Sequence, residues 1–116
     1  MIDINHMEEY LMKRVGFMMI IDQEKIGEYK KFHEDVWPEM KAALTRTGWH
    51  NYTLFIKPDG VVFGYVETPE GLEKASALMK LEEINTKWQT TMSGFTPNGM
   101  KPDETFFEME EYFHLD

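Results

Sequence analysis

Asn51-Tyr52-Thr53-Leu54-Phe55-Ile56-Lys57-Pro58-Asp59-Gly60-Val61-Val62-Phe63-Gly64-Tyr65-Val66-Glu67 lies in the middle of a 116-residue chain. Residues 51–57 alternate well enough for a strand, Pro58-Asp59-Gly60 is a turn, and Val61–Glu67 returns as the antiparallel partner. Toward the N-terminus, Val15-Gly-Phe-Met-Met-Ile-Ile21 is a short apolar run of β-formers, read as a strand buried on both faces. Asp22 follows as an N-cap for a helix through Glu24 to about Phe32. Pro38 cannot continue that helix, and Trp37 before it is pushed out of the α region, so the chain should break around residues 34–37 and restart at Pro38. Toward the C-terminus, Thr68-Pro69-Glu70 reads as a capped helix start, with Leu72, Ala75, Leu78 and Met79 on its apolar stripe. Ile84, Trp88 and Met92 continue at helical spacing, a Gly/Pro loop spans residues 94–102, and residues 105–113 have strand character.

The resulting order β-α-β-β-α-β is that of an α+β, ferredoxin-like sandwich, one antiparallel sheet with its helices on one face. Phe17, Met19, Tyr52, Leu54, Phe63, Tyr65, Phe107 and Met109 supply more large apolar groups than one face can use. A second copy meeting the sheet face to face would use the rest, so a homodimer is expected. Residues 13–116 form the single domain, and residues 1–12 read as an N-terminal extension, either disordered or an alternative start, with His6 a tail residue.

Composition narrows the function. With 21 acidic against 12 basic side chains and a formal charge of −9, the chain lacks the positive field that nucleic acid or an anionic membrane surface requires. It has no cysteine, hence no disulfide framework or thiolate metal site. No apolar run is long enough for a membrane span, and no cationic region followed by an apolar core opens the chain, which makes the cytoplasm the expected address.

The chemistry concentrates in two stretches, Tyr29-Lys-Lys-Phe-His33-Glu-Asp-Val-Trp37-Pro38-Glu39 and His50-Asn51-Tyr52. Tyr29, His33 and Trp37 are spaced by four, one face of a helix interrupted only at its end by Pro38. Flat aromatic faces suit the C–H surface of a pyranose, and an imidazole can exchange protons with its oxygens near neutral pH. At a helix C-terminus beside Glu34 and Asp35, His33 is expected to favour the imidazolium. Plain core packing for Tyr29 and Trp37, a surface position for His33 and an edge-strand cap for His50-Asn51 are the structural alternatives. The four histidines fall in no metal-binding spacing, and Ser76 and Ser93 sit in no nucleophile elbow, so neither metal nor cofactor is expected.

From Lys13 to about Phe113 the chain resembles the L-rhamnose mutarotase family. The resemblance rests on Glu28-Tyr29, on His33-x-x-x-Trp37-Pro38-Glu39, on Gly48-x-His50-Asn51-Tyr52, on Trp88 with Met92, and on the order of elements. It implies a dimeric α/β barrel that interconverts the α and β anomers of L-rhamnose without cofactor or metal. It further implies that His33 is the catalytic proton donor and that Tyr29 and Tyr52 bind the sugar; Trp88 and Gln89 are read with them as substrate-binding residues, and Trp37, His50 and Asn51 as supporting ones. One position departs: the family pattern often has two adjacent tryptophans in the late helix, where this chain has Trp88-Gln89. Glutamine exchanges a stacking surface for hydrogen-bonding capacity, so the sugar is either turned in the pocket or a different one. Two other readings of the same fold are a small dimeric α/β-barrel monooxygenase holding a polyphenol or haem, and a non-catalytic sugar-binding module.

Overall fold

The computed structural model describes residues 12–116; the expectations for the leader through residue 11, His6 included, lie outside the described residues. The elements run β1 (Lys13–Ile20), α1 (Ile26–Glu34), α2 (Pro38–Arg46), β2 (His50–Ile56), β3 (Val61–Thr68), α3 (Leu72–Lys80), α4 (Glu83–Met92) and β4 (Phe107–Met109). The strands form one antiparallel sheet in the order β2-β3-β1-β4. Buried residues of all four helices, among them Tyr29, Ala43, Ala75 and Met92, share a single core with Phe17, Val62 and Val66 of the sheet, so the molecule is an α+β structure with one covered sheet face. No helix among the described residues is long and apolar enough to cross a membrane.

Local chemistry accounts for most boundaries. Asp22 caps as expected, its carboxylate accepting from the Glu24 amide at 3.1 Å to open a 3₁₀ turn that leads into α1. Trp37 is extended (φ −51°, ψ 132°), and Pro38 occupies the first turn of α2, where its missing N–H costs nothing. In the β2–β3 turn Gly60 has φ +93°, and an added Cβ would collide with the Ile21 carbonyl, so glycine is required there.

Three sequence expectations are corrected. β1 is buried on one face only: Val15, Phe17 and Met19 point into the core while Ile20 is 50% exposed, because a second layer is present on just one side. Thr68 does not cap α3; it pairs with Lys13 at the end of the β1–β3 ladder and is buried, and α3 begins at Leu72 after Gly71 turns the chain. The last strand is three residues rather than nine, for beyond Met109 the chain leaves the ladder and is held to β1 by an Arg14–Glu111 ion pair at 2.9 Å. The eight large apolar residues divide evenly. Phe17, Met19, Tyr52 and Leu54 face the helices, whereas Phe63, Tyr65, Phe107 and Met109 share the opposite face through the registers Met18–Phe63, Gly16–Tyr65, Met18–Phe107 and Gly16–Met109.

The centre of the inner face is the Phe17 ring lying on Gly64, its register partner, where a Cβ would fall inside the ring's van der Waals envelope. Phe17 in turn meets Phe106 at 4.3 Å and Tyr52 at 6.2 Å between ring centroids. Gly64→Ala should therefore destabilise the fold by about 1–3 kcal/mol, the usual cost of overpacking a filled core. Urea or thermal unfolding of the variant checks this.

Candidate active site

α1 brings Tyr29 and His33 together, one turn apart, with ring centroids 4.4 Å from each other. The His33 Nδ1 lies 2.8 Å from the Tyr29 carbonyl oxygen, a contact that requires Nδ1–H to donate and leaves Nε2 as the free ring nitrogen. From α4, Trp88 meets His33 edge-on at 5.5 Å. Trp37 does not complete the α1 face, because the helix has already ended; it packs perpendicular to Trp88 at 5.0 Å and so supports the indole from behind. Tyr52 comes from the edge strand β2, its ring 4.9 Å from Trp49. His33, Trp88 and Tyr52 line one cleft of about 520 Å³, together with Lys41, Leu44 and Leu54. A monosaccharide fits such a volume, since small-molecule sites typically span roughly 300–1,000 Å³.

Burial governs the electrostatics of this cleft. Desolvation lowers the His33 pKa below its usual value, and the bond to the Tyr29 carbonyl only partly offsets it. The expected imidazolium is thus corrected: loss of hydration outweighs the contact that favours the proton, and neutral imidazole is the favoured form. The phenols of Tyr29 and Tyr52 are both raised by burial and stay protonated donors at neutral pH. Tyr29 is only 4% exposed, and its hydroxyl has no hydrogen-bond partner among the described residues.

Two expected supporting residues are placed elsewhere. A one-residue bulge between His50 and Thr53, with Asn51 in the left-handed region (φ +48°), puts His50 opposite Glu67 on the outer sheet face. Asn51 is exposed and donates to the Glu67 carboxylate at 3.1 Å. Tyr52, beyond the bulge, keeps the inner-face register of Leu54 and Ile56. Gln89 is buried beside Trp88, where its Nε2 donates to Asn85 Oδ1 at 3.1 Å and its Oε1 accepts from the Asp103 amide at 3.1 Å. Asn85 Nδ2 closes the ring by donating to Asp103 Oδ2 at 3.3 Å. Sequence reading missed Asn85 and Asp103. A clue to Asn85 was present, as it stands with Gln89 and Met92 at helical spacing on a stripe that ought to be apolar, but Asp103 follows a proline in a loop and carries no such signal.

Neutral His33 has a thermodynamic signature. A histidine whose folded pKa is lowered stabilises the fold fully above its unfolded value of about 6.5 and loses that contribution as pH falls through the folded value. Proton-detected ¹⁵N spectra should show His33 as the Nδ1–H tautomer at pH 7.5 and titrating below 6.5.

Comparison with known proteins agrees with the fold. The family model described as L-rhamnose mutarotase matches residues 14–115. The L-rhamnose mutarotase of Oceanobacillus iheyensis is 36% identical over 106 residues, covering 90% of this chain and all of the relative, and that of Bacillus subtilis is 32% identical over the same shares. The crystal structure of an L-rhamnose mutarotase from Formosa agariphila superposes with a TM-score of 0.73 at 25% identity, over 90% of this chain and 99% of its own. An imidazole set among aromatic rings on this α+β frame, and a match that runs nearly end to end, place the chain in the L-rhamnose mutarotase family, isomerases that interconvert sugar anomers.

Proposed function

We propose that this protein interconverts the α and β anomers of L-rhamnose or a closely related hexose, and that His33 carries the proton. The observation that carries the proposal is the arrangement of His33, with Nδ1 tied to a backbone carbonyl and Nε2 left free in a cleft shared with Trp88 and Tyr52. The anomeric hydroxyl and the ring oxygen are bonded to the same carbon, so one nitrogen can serve both. Neutral Nε2 takes the proton from the anomeric hydroxyl and returns it to the ring oxygen as the C1–O5 bond breaks, leaving the open-chain aldehyde. Rotation about C1–C2 presents the other carbonyl face, and the same transfers in reverse close the second anomer. Tyr29 and Tyr52 hydrogen-bond sugar hydroxyls, and Trp88, backed by Trp37, packs on the apolar face of the ring. No cofactor or metal enters these steps.

Saturation-transfer NMR on equilibrated L-rhamnose tests this directly. Wild type should transfer saturation between the anomeric protons, and His33→Ala should slow exchange by about 10²–10⁴-fold while remaining folded. An unchanged rate in the variant would remove His33 from the mechanism, and a silent wild type would favour the sugar-binding reading. Because neutral imidazole starts the cycle, the enzymatic rate should be level above about pH 6.5 and fall as pH drops through the lowered pKa of His33.

The active form is proposed to be a cytoplasmic homodimer in which two ferredoxin-like sandwiches pair their open sheet faces into a dimeric α/β barrel. The support is the face itself: Ile20, Phe55, Phe63 and Phe107 are 50%, 63%, 37% and 66% exposed on one side of the sheet. Phe63→Lys, at the middle of that face, should convert the dimer to monomer in analytical ultracentrifugation.

A further inference from the structure

Beyond the cleft that holds His33 lies a smaller recess of about 30 Å³, walled by Leu44, Trp49, Tyr52, Asn85, Gln89 and Asp103. Leu44, Trp49 and Tyr52 also line the main cleft, so the two share a wall and Tyr52 stands between them. The recess has about the volume of one water molecule, enough for a hydroxyl and too little for a sugar ring.

Its far wall is polar and built. Asn85, Gln89 and Asp103 form the closed hydrogen-bond ring already described, which fixes both the carboxylate and the backbone of Asp103. That ring uses Oδ2 of Asp103 alone. Oδ1 is enclosed yet has no partner among the described residues, and the same is true of the Tyr29 hydroxyl. The Tyr52 phenol, raised mainly by burial, is raised further by Tyr29 and Asp103, which puts all three oxygens in one neighbourhood. A buried carboxylate oxygen without a donor costs more than the bond it could make. A ligand hydroxyl would relieve that cost.

We propose that Asp103 is a specificity-determining residue whose Oδ1 accepts a hydroxyl of the bound sugar, with Asn85 and Gln89 positioning it. The inference rests on the sugar-cleft reading and deepens it. Gln89 is the position where the family pattern often has a second tryptophan, and here its amide holds the loop that delivers Asp103. The substrate meets this wall with an O–H group. A methyl group, such as that of a 6-deoxy sugar, belongs against Trp88 and Leu54 instead, since burying a methyl on a carboxylate would leave Oδ1 unpaired.

The test couples enzyme and sugar changes. Wild type, Asp103→Ala and Asp103→Asn are compared on L-rhamnose, its 2-, 3- and 4-deoxy analogues and L-mannose, which has a hydroxymethyl in place of the methyl. Binding is read by calorimetry and anomer exchange by saturation transfer. Wild type should lose about 10–100-fold in affinity for the one deoxy analogue lacking the recognised hydroxyl, with L-mannose, altered only where the methyl sits, as the control. Asp103→Ala should erase that discrimination and leave the others in place. Asp103→Asn preserves the shape and an oxygen for Asn85, and it should likewise erase or invert the same preference even if the alanine variant folds poorly. Equal weakening of every sugar, or no change, in the folded asparagine variant would make Asp103 a structural residue and overturn the proposal. Discrimination without wild-type exchange would sink the mutarotase reading and leave this one standing. Fast exchange with discrimination unchanged in the variant would do the reverse, and a wild type that binds none of the sugars would end both.

Discussion

The contact on which the rest of the molecule depends is that of the Phe17 ring with the backbone of Gly64 at the centre of the sheet. A side chain on residue 64 would lift the ring, and with it everything the ring supports. Because glycine is there, Phe17 can lie low enough for Phe106 and Tyr52 to approach it from two directions. Phe106 leads the chain from the loop of Asp103 into β4, and Tyr52 is the wall shared by the cleft and the recess behind it. One close approach in the core therefore sets the positions of a wall of the cleft and of the loop behind it.

A second constraint is the competition between hydration and hydrogen bonding at His33. The hydrogen bond to the Tyr29 carbonyl favours a proton on the ring, but the ring is packed against Tyr29 and Trp88, and desolvation prevails. An imidazole that rests neutral suits a reaction whose proton must be taken before it is given. The bond from Nδ1 to the Tyr29 carbonyl then selects the tautomer in which Nε2 has a lone pair ready.

The parts of this picture that sequence revealed were those written in local chemistry. Pro38 ends one helix and starts another, Asp22 caps, Gly60 turns, and the four-residue spacing of Tyr29 and His33 stacks them as a helix must. What stayed hidden depended on pairing across the chain. Thr68 looked like a helix cap because nothing local announces that Lys13 will hold it in a ladder. His50 looked like a neighbour of Tyr52 because a bulge at Asn51, which sends it to the other face, is a matter of register with β3. Asp103 was invisible for the same reason, since its role depends on two side chains of α4 that lie 14 and 18 residues earlier.

The recess and the cleft share Leu44, Trp49 and Tyr52 but are otherwise lined from different elements, and that division bears on how such a protein can diverge. The imidazole of His33 is held on α1, whereas the polar wall is a side-chain ring between α4 and a loop stabilised by its own hydrogen bonds. Among the described residues, none of the hydrogen bonds of residues 85, 89 and 103 involves His33 or the carbonyl that sets its tautomer. On the proposed role of Asp103, a lineage could retune which sugar it accepts while His33 keeps its setting, and the unit of inheritance for that change would be the triad.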